Sequence, residues 1–339
     1  MPLVDVDVPS GAAGAVGPAD SPGCGPPTAR PHVHRTSVGR RGLQVVLGVL
    51  WMLDGALQLQ PALLTDRFAR SVLAPAAVGQ PGWVSWPVLH AARVIGAHAL
   101  AAGVAVALVQ MVIGAGLLVR RTVRPALVAS VAWAAGVWVV GEGLGGIAGG
   151  TASFLTGAPG AALLYALLAS AAWPAIAREG GGGSRRQVRS VPDWFPRAWA
   201  VGWVALGASA LLPANRSGDR VAGQLLDVAG AAPRLLARLD RVVAELVRHA
   251  GTAGVVLLVL GPMAIGLCGL SGGRVRRWAA WSGIALAAVT WVVGESLGQL
   301  ASGSATDPNT APLLALAGVA LLGTVDPRTS DRHRAGVIP

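Results

Sequence analysis

The sequence predicts an all-α integral membrane protein of eight transmembrane helices, built as two parallel four-helix repeats with both termini in the cytoplasm. Three observations lead there. The chain has 339 residues, 53% apolar and 13% charged, and a mean hydropathy of +0.58. A soluble domain carries about 25% charged residues, so a water-exposed surface of ordinary composition is excluded. The 27 cationic side chains are all arginine, and they gather in short clusters between apolar runs, the pattern of cytoplasmic loops that anchor membrane helices. Finally, an eight-residue segment recurs, WVVGEGLG at 138–145 and WVVGESLG at 291–298.

Each element follows in order. Residues 1–38 are rich in Gly, Pro, Ala and Ser, the composition of a disordered tail, here cytoplasmic. Apolar runs then occupy 42–64, 88–119, 125–145, 159–177, 197–213, 251–271, 277–298 and 311–325. A bilayer core takes about 20 apolar residues; the fifth run is close to that limit and the eighth falls short of it. Arg35, Arg40 and Arg41 precede the first run, and Arg120, Arg121 and Arg124 separate the second from the third. Arg178, Arg185, Arg186 and Arg189 follow the fourth, Arg274, Arg276 and Arg277 divide the sixth from the seventh, and Arg328, Arg332 and Arg334 follow the eighth. Every second connection is basic, which orients the chain in the cell membrane with both ends inside.

The domain plan is a first repeat at 39–177, a cytoplasmic linker at 178–197 containing Gly180–Gly183, a second repeat at 198–325, and a cytoplasmic tail at 326–339. The long outer connection of the second repeat carries an amphipathic helix near 219–250. Its Leu235, Leu236, Leu239, Val242, Val243, Leu246 and Val247 recur at spacings of three and four. That face turns either to the membrane surface or to the bundle.

The duplication extends beyond the octapeptide. Trp51, Gly55 and Pro61 match Trp203, Gly207 and Pro213 at equal spacing, His98 corresponds approximately to His249, and Ala158-Pro159 matches Ala311-Pro312. An even number of crossings per unit makes the repeats parallel. The octapeptide itself reads as a corner: glycine ends a helix, and a proline opens the next one.

Ionisable groups inside apolar runs mark candidate sites, since each costs about 2.5–3.5 kcal/mol at mid-membrane on insertion scales. At a rise of ~1.5 Å per residue, Glu142 lies about 27 Å from Arg124, Asp54 about 20 Å from Arg41 and His98 about 33 Å from Arg120. All three share the outer layer, with Asp54 deepest. Gln58 follows Asp54 by one turn, and His90 and Arg93 stand just outside. These residues are expected to converge, either as an outward-open binding or proton-handling site in which His98 titrates, or as an interfacial ion-pair network neutralised by Arg93. The second repeat keeps His249 and Glu295 and adds Gln299, but has Leu206 where Asp54 stands and Ala210 where Gln58 stands.

Other chemistries lack their residues. No HExxH or paired-His spacing suggests a metal, no nucleophile elbow or P-loop suggests catalysis, and no cofactor motif is present. Cys24 and Cys268 form no disulfide framework. The arginines do not alternate with aromatics as in a nucleic-acid interface. Tryptophans such as Trp51, Trp83, Trp86, Trp133 and Trp138 gather near helix ends as interfacial anchors.

The run LGVLWMLDGALQLQP at the first helix, within a four-helix unit of about 130 residues, resembles the DoxX-like group of small bacterial membrane proteins. The resemblance covers each repeat through helix count, and the first helix through a G-x-x-Q-L-x-P pattern at 55–61; the duplication, Asp54 and Glu142 depart from it. It implies a four-helix membrane unit and a non-catalytic partner or subunit of a membrane redox or envelope system. The polar layer supports the other expectation, a small-solute or proton-coupled carrier. A carrier places polar groups near the midplane between repeats, deeper than most of these residues lie. Composition is silent on oligomeric state.

Overall fold

The computed structural model describes residues 39–174 and 191–325. The expected tails at 1–38 and 326–339, most of the 178–197 linker, Cys24, and the arginine markers Arg35, Arg178, Arg185, Arg186, Arg189, Arg328, Arg332 and Arg334 lie outside them. Among the described residues every regular element is helical. The α-helices are α1 (Arg40–Gln58), α2 (Gly82–Ala97), α3 (Ala99–Leu118), α4 (Val123–Gly136), α5 (Ala161–Ala171), α6 (Phe195–Ser209), α7 (Gly218–Ala231), α8 (Arg234–Leu270), α9 (Gly273–Val292) and α10 (Thr310–Leu322).

Four helical stretches are long and apolar enough to cross a membrane: Ala99–Leu118, Val123–Gly141, Arg234–Leu270 and Gly273–Ser302. The expectation of eight is corrected for physical reasons. α5 and α10 have 11 and 13 residues, about 16 and 20 Å at ~1.5 Å per residue, against a hydrocarbon core of about 30 Å. α6 has 15 residues, and α1 carries Arg40, Arg41 and Asp54 within its 19. The run expected as one helix at 88–119 is two, broken at His98 (φ −128°, ψ 38°), shortly after the poor helix former Gly96. The outer segment of the second half forms α7 and the beginning of α8, which bends at Gly251 (φ 52°, ψ −127°). That is a conformation only glycine adopts without strain.

Small residues bring the helices close. A Cβ on Gly114 of α3 would lie 2.7 Å from the Gly48 carbonyl oxygen of α1, and one on Gly266 of α8 would lie 2.8 Å from the Ala200 carbonyl oxygen of α6. Such small-residue contacts are how membrane helices pack without a hydrophobic driving force. The short helices α5 and α10 sit inside, in a core that gathers Leu47 and Trp51 of α1, Tyr165 and Leu168 of α5, Trp203 of α6 and Leu313 of α10. Length and position agree, because an inner helix shielded by protein need not match the bilayer.

At the other end the arginines have a second task. Arg41 donates to the Leu117 carbonyl oxygen at 3.0 Å, and Arg276 donates to that of Gly269 at 3.0 Å, satisfying terminal carbonyls of α3 and α8 and complementing their dipoles. Cys268 lies inside an apolar run yet is exposed on α8, because that run faces outward on one side.

Candidate functional site

The two octapeptides fold into matching corners. In the first, the Trp138 indole N–H donates to the Pro159 carbonyl oxygen at 2.8 Å, and Glu142 Oε1 accepts the Ala162 backbone N–H at 3.0 Å. In the second, Trp291 donates to the Pro308 carbonyl oxygen at 2.9 Å, and Glu295 Oε2 accepts the Ala311 N–H at 3.1 Å. Each carboxylate therefore caps the next helix, α5 or α10, where free N–H groups and the positive dipole end favour an anion. By contact, the counterpart of Pro159 is Pro308, which corrects the equal-spacing match to Pro312. Pro159 stands before α5, whereas Pro312 lies in the first turn of α10.

Between the corners lies a buried acidic cluster. Asp54, in the last turn of α1, is 1% exposed, and Tyr165 of α5 is 2% exposed. The phenol faces the carboxyl and acts on it as a hydrogen-bonding neighbour, and neither Asp54 Oδ1 nor the Tyr165 hydroxyl has a further partner. Asp307, in the loop before α10, stands within electrostatic reach of Asp54, Glu142 and Glu295. It accepts from the Asn309 N–H at 2.7 Å and the Thr306 hydroxyl at 2.8 Å. Burial holds the Asp307 carboxyl above the usual range, against the pull of those two hydrogen bonds. Glu142, just beyond the Val123–Gly141 stretch, is pushed up to about 8 by burial first and the Asp307 charge second. Grouped carboxyls without a neighbouring cation hold protons, because desolvation and mutual repulsion both disfavour ionisation.

Gln58 is buried near Asp54, one turn on, with its Oε1 unpartnered. The other expected members stand elsewhere. Arg93 and His98 are exposed, and Arg93 donates only to the Leu89 carbonyl oxygen of its own helix at 3.3 Å. His249 is exposed, with Nδ1 2.7 Å from the Glu245 carbonyl oxygen. The expected convergence is thus corrected for Arg93 and His98, which stand apart from Asp54 and Glu142. The break at His98 frees α2 to pack on the short turns at 69–77, which leaves Arg93 and His98 on the outside.

Three functional candidates escaped the sequence reading. Tyr165 is the only tyrosine of the chain, and that singularity within an apolar run was the available signal. Asp307 sits in a loop with no pattern to mark it. Asp240 is fully buried, accepting the Gly294 N–H at 2.9 Å and the Ser296 hydroxyl at 3.0 Å. Its place among the alanines Ala237 and Ala244 on one helix face could have flagged it. The halves differ at their centres: Trp51 donates to Ser130 Oγ at 2.9 Å, while Trp203 meets Gly283 and its N–H has no partner. Among the described residues no three His, Cys, Asp or Glu side chains converge as metal ligands. No family model matches the chain, and no curated protein or solved structure matches it either.

Proposed function

We propose that the chain is an integral protein of the cell membrane, built from two parallel four-helix units in which α3, α4, α8 and α9 cross the bilayer, and that it serves as a non-catalytic partner of a membrane redox or envelope system. α3, α4, α8 and α9 face lipid in this reading, while α1, α5, α6 and α10 line the centre. The observation that carries it is the use of Glu142 and Glu295: the repeated glutamates are spent on helix caps, so the repeat signature is an architectural device. The outward groove between α3 and α4, about 560 Å³ and lined by Leu108, Val112, Ala129 and Trp133 among others, supports an apolar partner, as does the DoxX-like resemblance. Purification in gentle detergent with a photo-crosslinker at Val112 tests it. A discrete adduct with a membrane redox or envelope protein is expected; recovery of this chain alone overturns the reading.

A second reading rests on a separate observation, the buried Asp54 carboxyl and the buried Tyr165 phenol that faces it. A buried carboxyl facing a phenol can store a proton and release it, which supports proton handling at the first unit. Proteoliposomes carrying a pH-sensitive dye should show a proton flux that Asp54→Asn abolishes. An equal flux with the variant would remove this reading.

A further inference from the structure

We propose that residues 234–250, the first part of α8, form an interfacial helix that binds anionic phospholipid through Arg234, Arg238 and Arg241. The inference rests on the membrane reading and adds a lipid class and a site to it. At about 100° per residue this segment divides into three sectors. Ala237, Asp240 and Ala244 face inward and are buried. Leu235, Leu239, Val242 and Leu246 form a second sector and are exposed, Leu235 by 69% and Leu246 by 63%. The three arginines lie in the third, also exposed, together with Glu245 and Arg248; among the described residues no carboxylate pairs with the three. Arg248, by contrast, is matched by Asp219 at 3.4 Å and by Glu245.

An apolar stripe flanked by cations is the profile of a helix lying in the headgroup plane, its stripe in the acyl boundary and its cations at the phosphates. Two features of the fold say what covers it. Past the bend at Gly251 the same helix continues into a membrane-crossing stretch whose exposed Leu257 and Leu260 face lipid, so the outward stripe borders a bilayer contact. The other half places α2 just before its own break at His98, with Trp83 exposed by 68% and Trp86 similarly bare. Indoles prefer that same depth. Both halves thus present an amphipathic segment at the point where a helix enters the membrane; the first carries a single arginine, Arg93, and the second the cluster of three.

The test uses the full chain in nanodiscs containing phosphatidylcholine with or without phosphatidylglycerol. Native mass spectrometry of the released protein should show retained phosphatidylglycerol in preference to phosphatidylcholine. That preference should fall about fivefold for each of R234Q, R238Q and R241Q, while R67Q, on an exposed turn of the first half, leaves it unchanged. Equal retention by the triple variant overturns the site. A spin label at Leu239→Cys, with Cys24 and Cys268 replaced by Ser, should be reached by oxygen and shielded from a water-soluble nickel relaxant. Free access of the nickel reagent places the stripe in water, and exclusion of both reagents places a protein over it; either result overturns the proposal. If the outer segment faced the cytoplasm the depth result would be unchanged, so failure of the topology and failure of this site are distinguishable.

Discussion

Asn215 donates its side-chain amide to the Ala152 carbonyl oxygen at 2.7 Å, tying the outer end of the second half to the loop of the first across 63 residues. The same amide donates to the Ser209 carbonyl oxygen at 2.7 Å, and its Oδ1 accepts from Gln224 at 2.8 Å. Asn215 is therefore a fully used buried side chain that fixes α6, α7 and the 143–160 loop together. Asn215→Ala strips two buried carbonyls and one amide of their partner, each worth about 1–3 kcal/mol when left unmet. The expected loss is about 2–4 kcal/mol, read as a lower unfolding midpoint in detergent. Asn215→Asp should be at least as harmful, because a carboxylate cannot donate to the two carbonyl oxygens. A variant as stable as the parent would remove Asn215 from this role.

Glu142 sets a pH dependence. Its folded-state value of about 8 lies above the ordinary 4.5, so folding favours the protonated form. The stability this contributes is complete below pH 4.5 and is lost as pH rises through about 8; the raised Asp307 works in the same direction. Thermal midpoints should therefore decline between those limits. Glu142→Gln keeps an acceptor for the Ala162 N–H and removes the titration, so its decline should be shallower. Glu142→Ala also removes the cap, for a further loss of about 1 kcal/mol. An identical slope in Glu142→Gln would show that the titration lies elsewhere.

The corners were legible in the sequence because each rests on residues close in the chain and repeated in it: Trp138 to Glu142 and Trp291 to Glu295. What was illegible depends on where the backbone turns. The bend at Gly251 and the break at His98 decide which side chains meet; the first falls where a charged segment gives way to an apolar run and the second beside a histidine within one, and neither pattern says how far the backbone turns. Equal spacing then misled at Pro312. Trp138 reaches a proline 21 residues on and Trp291 one 17 residues on, so the connecting loops differ in length although the corners match. The Asp54–Tyr165 approach joins α1 to α5, and no local pattern encodes it.

Glycine substitutions separate close helix contact from plain helix propensity. Gly114→Ala would place a methyl 2.7 Å from the Gly48 carbonyl oxygen, forcing α1 and α3 apart, with an expected loss of about 1–3 kcal/mol from overpacking. At Gly202, on α6, a Cβ meets nothing within 4 Å, and Gly202→Ala should gain up to about 1 kcal/mol. The two variants differ in sign, and a detergent unfolding series measures both. A neutral Gly114→Ala would mean that α1 and α3 can separate freely.

Asp54 offers the sharpest contrast between the halves, because Leu206 occupies its place in the second and is buried there equally well. A buried carboxyl whose one neighbour is a phenol and which has no cation beside it is a burden, and replacing buried charged groups by apolar ones of similar shape is commonly neutral or stabilising by about 1–4 kcal/mol. Asp54→Leu should therefore raise the unfolding midpoint while Asp54→Asn, which keeps a polar group in the same surroundings, should not. If Asp54 stores a proton, the stabilised Leu variant will have lost proton flux in vesicles, so gain of stability and loss of activity occur in one molecule. A residue kept at the expense of stability is kept for what it does. Should Asp54→Leu instead unfold the protein, Asp54 has a structural partner, and the proton-handling reading loses its support.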